Sequence, residues 1–352
     1  MTASDILFER SGAIGLVTLN RPKALNALTL PMIRRYNPQL IKWAADRAVA
    51  AVVMQGAGDR AFCAGGDIRA IYDVGRGSDA AIHRDFFREE YILNRRIHRL
   101  AKPHVALLDG ITMGGGVGLS VHGSHRVATE RTLFAMPETG IGLFPDVGGS
   151  YFLPRCPGEI GMFLALTGHR LKAADMIYAG IATDHVPSAK LPELKAALAA
   201  IDPAAGKPAV DAALAAVAVP AGAAPLAEHH QRIDRCFAQP SVEAIIEALD
   251  ADGSDWAAAM GAILRKMSPT SLKVTYREVR LGGTLDFEAC MVMEYRMIQR
   301  FMHGADFFEG VRAAIVDKDQ KPRWQPASVA EVGAADVDAY FAPLGARDLT
   351  FD

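Results

Sequence analysis

Residues 104–120 read His104-Val-Ala-Leu-Leu108-Asp-Gly110-Ile-Thr-Met-Gly114-Gly-Gly-Val-Gly118-Leu-Ser120. The apolar run His104–Leu108 predicts a buried strand. The three glycines after Met113 predict a turn whose backbone a ligand can approach closely, and a helical run follows them. The first-turn N–H groups of such a helix lack intrahelical partners and sit at the positive end of its dipole. Strand, glycine turn and helix in this order predict an α/β layer architecture.

The same alternation continues upstream. Ile14–Leu19 reads as a short strand broken by Asn20-Arg21-Pro22, a helical pattern starts at Thr29, and Ala51–Met54 reads as a second buried strand. A glycine-bearing loop covers 56–67, and a helix is expected from roughly Ala80 to Leu100. After about Ile160 the patterns are almost all helical: Ala173–Ala179, Glu193–Ile201, Leu226–Phe237, Val242–Leu249, Ala257–Met267 and Phe287–Met302. Between Ile201 and Pro225 the chain is Ala, Pro and Gly with few large side chains, which predicts a flexible or loosely packed connection. The expected organisation is an α/β core over 1–200, an Ala/Pro-rich connection over 201–225 and a helical C-terminal region over 226–352. No internal repeat is visible.

Composition bounds the function. Of 352 residues, 50% are hydrophobic and 22% charged, so a sizeable core is available and global disorder is excluded. The formal net charge of -2 supplies no field that would gather nucleic acid or an anionic membrane, so neither is expected as a partner. The longest uncharged Ala-rich stretch, Ala212–Ala227, is 16 residues and holds two prolines, short of the ~20 apolar residues of a membrane span. The cysteines at 63, 156, 236 and 290 form no CxxC pair and no zinc spacing, so reduced buried thiols and no metal site are expected. The first ten residues, MTASDILFER, show neither a signal-peptide nor a transit-peptide pattern, and the expected location is cytoplasmic.

Three glycine clusters follow strand ends. Gly56-Ala-Gly58 begins like a dinucleotide fingerprint, but no helix follows within the motif, so a nucleotide turn is not expected there. Phe62-Cys-Ala-Gly65-Gly66-Asp67 and Gly114-Gly115-Gly116 each precede a helical run. Two such turns, each offering a backbone donor, predict an oxyanion hole of two peptide N–H groups. A carbonyl whose oxygen becomes negative would fit it. The loop Met136-Pro-Glu138-Thr-Gly-Ile-Gly-Leu-Phe-Pro-Asp146-Val-Gly-Gly149 supplies two acids eight residues apart among Met136, Ile141, Leu143 and Phe144. An acid in apolar surroundings has a raised pKa, which suits a general base or proton relay near neutral pH. Asp146, after Pro145, is equally compatible with a turn residue.

These segments resemble the crotonase, or enoyl-CoA hydratase/isomerase, superfamily. The likeness runs through Leu19-Asn-Arg-Pro-Lys-Ala-Leu-Asn26, Ala61-Phe-Cys-Ala-Gly-Gly-Asp67, Gly110-Ile-Thr-Met-Gly-Gly-Gly116 and Met136-Pro-Glu138. Phe86-Phe-Arg-Glu-Glu-Tyr91, Phe144-Pro-Asp146-Val-Gly-Gly149, Ser268-Pro-Thr-Ser-Leu272, Glu309-Gly-Val-Arg312 and Asp317-Lys-Asp-Gln320 resemble the superfamily's 3-hydroxyacyl-CoA hydrolase branch. Residues 196–226 show no such signature. The resemblance implies a spiral of ββα repeats with a helical C-terminal region, often with oligomer contacts, and an acyl-CoA thioester as substrate. It implies that the Gly66 and Gly115 N–H groups hold the thioester oxygen, that Glu138 is the catalytic carboxylate, that Asp146 is a second acid and that Glu90 contacts substrate. Arg21 and Lys23 lie in the segment that resembles the family's CoA-contacting loop. CoA would be part of the substrate, with no separate cofactor.

One departure from the hydratase pattern separates neighbours within the superfamily. Hydratases place a second glutamate just after the glycine triplet; here that position is Gly118, and a glycine cannot shuttle a proton. Thioester hydrolysis needs only an activated water or a carboxylate nucleophile and a stabilised oxyanion. The expectation is hydrolysis of a short branched 3-hydroxyacyl-CoA, 3-hydroxyisobutyryl-CoA in valine breakdown, with Asp146 and Glu90 near the substrate hydroxyl. Hydration or isomerisation of an enoyl-CoA, and non-catalytic acyl-CoA binding, are the alternatives.

Overall fold

The computed structural model describes residues 4–75 and 81–351, with only the backbone of Ile82. The start of the helix expected from Ala80 therefore lies outside the described residues. In chain order the elements open with β1 (Ile6–Ser11), β2 (Ile14–Leu19), α1 (Leu30–Ala45), β3 (Ala51–Gly56), β4 (Ala61–Cys63), α2 (Ile68–Gly75) and α3 (Ala81–His98). They continue with β5 (His104–Leu108), β6 (Ile111–Met113), α4 (Gly115–Gly118), β7 (His125–Ala128), β8 (Leu133–Ala135), α5 (Gly149–Phe152), α6 (Ile160–Thr167), α7 (Ala173–Tyr178) and β9 (Asp184–His185). The rest is helical: α8 (Leu191–Ala199), α9 (Gly206–Ala215), α10 (His230–Phe237), α11 (Val242–Asp252), α12 (Asp255–Leu264), α13 (Pro269–Gly282), α14 (Phe287–Phe301), α15 (Ala305–Val311) and α16 (Ala334–Phe341).

The chain divides into two interleaved units. The first comprises 1–66, 92–134 and 171–227; the second comprises 67–91, 135–170 and 228–352. This redraws the expected organisation, because segments of the α/β core alternate between units and only the break near 227 matches an expected boundary.

In the first unit a six-stranded sheet has the order β1-β2-β3-β5-β7-β9, and a three-stranded sheet has the order β4-β6-β8. Only β1 pairs antiparallel in the large sheet; β2, β3, β5, β7 and β9 pair in parallel. From β3 onward successive strand pairs, β3–β4, β5–β6 and β7–β8, lay one strand in the large sheet and the next in the small sheet before a helix, which is a spiral of ββα repeats. The central strands β3 and β5 are apolar on both faces, as a covered parallel sheet requires. Gly15 in β2 lets Trp43 of α1 lie on the strand, where a Cβ would come 2.5 Å from the indole.

The expected loose connection over 201–225 is not one. It contains α9, whose Val210 and Leu214 join Leu191, Leu194 and Leu198 of α8 on Val53, Val105 and Leu107 of the sheet. Alanine is the best helix former, and two large apolar residues four apart are enough to anchor one face of a ten-residue helix.

The second unit is helical. All eight residues of α6 are buried. Ser241, Ser254, Ser268 and Asp286 accept hydrogen bonds from the first-turn N–H groups of α11, α12, α13 and α14, which fixes where each helix starts. Two close approaches position the loop of the two acids. A Cβ on Gly282, at the end of α13, would lie 1.9 Å from the Ser150 carbonyl oxygen, and one on Gly310 of α15 would lie 2.3 Å from the Ile141 backbone. All four cysteines are buried and free.

Candidate active site

The expected donors lie together in the first unit. β4 and β6 pair in parallel and deliver the two glycine turns side by side. Gly65 has φ +117, and a Cβ there would be 3.9 Å from the Gly115 nitrogen. A Cβ on Gly116 would stand 2.2 Å from the Cys63 carbonyl oxygen, so no side chain fits between the turns. The Gly65 carbonyl accepts from Leu28 N–H at 2.8 Å, which ties the first turn to the chain entering α1. Gly115 is the first residue of α4, where a helix leaves N–H groups unused. Among the described residues neither the Gly66 nor the Gly115 N–H has a protein acceptor. The pair can donate two hydrogen bonds to one oxygen.

Arg21 and Lys23 differ. Arg21 donates to the Ala27 carbonyl at 2.7 Å and faces Asp5 at 3.6 Å, so its guanidinium braces its own loop. Lys23 is exposed in the single turn Pro22–Ala24 and enters no ion pair among the described residues. Gly118 is buried within α4. The Gly56-Ala-Gly58 turn holds no helix start, in keeping with its reading as a turn only.

The acids gather in the second unit. Glu138 opens a 3-10 turn, Glu138–Ile141, and is 5% exposed. The turn is pinned by Leu143 N–H to the Glu138 carbonyl, by Ser268 N–H to the Thr139 carbonyl and by the Thr139 hydroxyl to the Leu166 carbonyl. Glu138 Oε2 has no partner among the described residues. Asp146 is 5% exposed and accepts from the Tyr91 hydroxyl at 2.8 Å. Glu90 is buried on α3 with Oε1 unpartnered.

Two further acids complete the group, and sequence reasoning named neither. Glu294 of α14 accepts from Gly148 N–H at 2.8 Å, Ser150 N–H at 3.0 Å and the Ser150 hydroxyl at 2.5 Å. It thus clamps a loop in which β-branched Val147 sits at φ +52, a conformation that costs about 1–3 kcal/mol. Glu278 of α13 is fully buried, and neither of its carboxylate oxygens has a partner among the described residues.

None of the five carboxyls forms an ion pair among the described residues. Burial pushes all of them up. Asp146 rises to about 7 against the hydrogen bond from Tyr91. Glu294 rises to about 8 by burial and the Asp146 charge, against its three hydrogen bonds. Glu138 is held well above the usual carboxylate range by burial and then by Asp146. Glu90 is raised by burial, Asp146 and Glu294. Burial and the neighbouring acids oppose ionisation of the whole group, which suits it to hold protons rather than charges.

Comparison with known proteins narrows the chemistry. The family model described as enoyl-CoA hydratase/isomerase matches residues 14–341. The rat protein named 3-hydroxyisobutyryl-CoA hydrolase, mitochondrial, is 51% identical over 352 residues, covering 99% of this chain and 91% of the rat protein. Its zebrafish (Danio rerio) namesake is 52% identical over 350 residues, covering 98% and 91%. Among solved structures, a carnitinyl-CoA dehydratase from Mycobacterium thermoresistibile superposes with TM-score 0.93 at 44% identity, covering 99% of each chain. An enoyl-CoA hydratase from Rhodobacter sphaeroides superposes with TM-score 0.90 at 42% identity, covering 99% and 100%. The curated relatives carry the word mitochondrial in their names, so the cytoplasmic location expected from the first ten residues does not stand. A transit peptide is a removable leader outside the fold, and ten residues of sequence are no guide to address.

Proposed function

Because the chain belongs to the enoyl-CoA hydratase/isomerase family, with a crotonase fold throughout, we propose that it is an acyl-CoA thioester hydrolase that cleaves 3-hydroxyisobutyryl-CoA to the free acid and CoA, in valine breakdown. The observation that carries the reading is the carboxyl cluster around Glu138: a buried, unpartnered acid of raised pKa beside a second acid held by Tyr91. The names of relatives about half identical over nearly the whole chain support it.

In this reading the Gly66 and Gly115 N–H groups hold the thioester oxygen as it becomes negative. Glu138 either removes a proton from the attacking water or attacks the carbonyl carbon itself. Asp146 and Glu90 receive the substrate hydroxyl. Without that hydroxyl Glu90 Oε1 stays unpartnered, which disfavours unhydroxylated acyl groups. Lys23 meets a CoA phosphate. CoA enters and leaves as part of the substrate and product.

The test is thiol release from a panel of acyl-CoA thioesters, with enoyl absorbance followed in parallel. Rapid thiol release from 3-hydroxyisobutyryl-CoA and slow loss of crotonyl-CoA absorbance are expected. Enoyl loss without thiol would make the chain a hydratase; measurable binding with neither would make it an acyl-CoA-binding protein.

A further inference from the structure

Ser271, Thr275, Glu278 and Gly282 are spaced four, three and four residues apart on α13, so they share one face. That face is buried: Ser271, Thr275 and Glu278 are each 0% exposed. A helix normally turns apolar residues inward. Here three polar side chains do so in succession, and among the described residues Ser271 Oγ, Thr275 Oγ1 and both Glu278 oxygens lack partners. The opposite face is conventional. Lys273, Arg277 and Arg280 pair there with Glu243, Asp338 and Glu159. Cations are thus present on the same helix, yet none neutralises Glu278.

The groups that face Glu278 are Glu294 and Cys290 from α14, Asp146 from the loop before α5 and Glu138 from its 3-10 turn. α6, packed on the same helix, has no titratable side chain. Arg155, near the end of α13, donates to the Tyr151, Gly282 and Leu285 carbonyls. Burial first, and then Glu294, Asp146 and Glu138, hold the Glu278 carboxyl well above the usual carboxylate range. Buried polar atoms without protein partners are normally met by ordered water, each water making about three hydrogen bonds.

We infer that Glu278 is a proton store for thioester cleavage, exchanging its proton with the reacting site beside Glu138 through water held along the Ser271–Thr275 stripe. The inference rests on the hydrolase reading above. Cleavage breaks the C–S bond, its electron pair leaves on sulfur, and the thiolate takes up one proton. Water supplies the new C–O bond and releases one proton. The two events are separated in time. In the covalent route Glu138 attacks the carbonyl carbon and the thiolate leaves; Glu278 gives its proton through the water stripe toward that thiolate and recovers one when water hydrolyses the acyl–Glu138 anhydride to the free acid and ionised Glu138, so nothing is consumed but water. Glu278 acts through this held water and touches no substrate atom.

Glu278→Gln separates this role from packing. Glutamine copies the shape and neutrality of the protonated acid but cannot release a proton. With 3-hydroxyisobutyryl-CoA, kcat is expected to fall by about 100-fold, the low end of general acid–base effects, with KM within about 3-fold. The wild-type fall in kcat as pH rises through the Glu278 titration is expected to vanish in the variant, and the infrared band of protonated carboxyls is expected to lose one carboxyl's contribution. A folded Glu278→Gln variant with wild-type kcat and pH profile overturns the inference. Should that variant not fold, Thr275→Val decides: a lowered kcat with an altered solvent isotope effect supports the water stripe, and unchanged values overturn it. No thiol release by the wild type would overturn the hydrolase reading as well; wild-type release with an indifferent Glu278→Gln overturns this inference alone.

Discussion

Glu294→Gln sets two effects of known sign against each other. The Glu294 carboxyl is fully buried and accepts three hydrogen bonds from Gly148 and Ser150. Hydrogen bonds favour its ionised form and burial opposes it; burial wins, because the carboxyl rises from 4.5 to about 8. That displacement corresponds to about 5 kcal/mol between the two forms. A carboxyl raised in the folded state contributes stability that is fully present below its unfolded pKa and is lost as pH rises through the folded one. Between about pH 5 and about pH 7.5 the loss integrates to about 3 kcal/mol. Glutamine does not ionise, so it escapes this loss. It carries a constant cost instead, since its NH₂ must face an N–H or O–H that formerly met an oxygen, about 1–3 kcal/mol. The variant is therefore expected to be less stable than wild type near pH 5 and equal or more stable near pH 7.5. Urea unfolding across this range, with transitions of the two units fitted separately, measures the difference. A constant offset between the two proteins at every pH would refute the placement of a proton-holding acid at Glu294.

Glu138→Gln is expected to lower kcat by about 10²–10⁴ while CoA binding, by calorimetry, stays within a few-fold; near-normal turnover sinks its assignment. Tyr91→Phe removes the hydrogen bond that holds Asp146 down, so Asp146 moves above about 7 and the acid limb of the kcat/KM profile shifts to higher pH. An unmoved limb means that Asp146 does not titrate in the rate. Gly115→Pro deletes one donor and is expected to lower kcat by about 10²–10³, with folding checked by circular dichroism; full activity in a folded variant rules out the amide. Asp146→Asn is expected to damage 3-hydroxyisobutyryl-CoA more than isobutyryl-CoA by about one to two powers of ten in kcat/KM, since a charge-assisted bond is worth about 1.5–3 kcal/mol. Equal losses on both would assign Asp146 to holding the loop.

What the sequence made legible was whatever local pattern encodes. The apolar runs at Ala51–Met54 and His104–Leu108 are strands, and the glycine turns at 65–66 and 114–116 stand where strand gives way to helix. Glu138 and Asp146 were legible because a Pro/Gly loop isolates them among apolar residues. The ββα repeat was not, since β4, β6 and β8 are only three residues long and too short for an alternation to register. The two interleaved units arise from contacts between distant segments, which no window of sequence contains. α9 was hidden by its Ala/Pro/Gly setting, and its burial depends on a sheet 100 residues upstream in the chain. Glu294 left a usable trace: Phe287, Cys290, Met291, Ile298 and Phe301 mark the buried face of α14, and Glu294 falls on it. Glu278 left none, because Ser271, Thr275 and Glu278 read as a solvated stripe until the fold turns it inward.

The fold does not decide between hydration and hydrolysis. Solved structures bearing dehydratase and hydratase names superpose on this chain at TM-scores of 0.93 and 0.90, while relatives of 51% and 52% identity bear a hydrolase name. The difference has to lie in where protons are kept. Adding water across a double bond places a hydroxyl on one carbon and a proton on its neighbour, which calls for an acid and a base on either side of the bond. Gly118 supplies neither. Cleaving a thioester moves a proton from water to sulfur with an interval between, which calls for a place to hold it. Five buried carboxyls with no paired cation among the described residues provide that place, because burial first, and repulsion among them second, disfavours their ionised forms. The arrangement is costly to stability, and the cost is what makes a proton available beside Glu138.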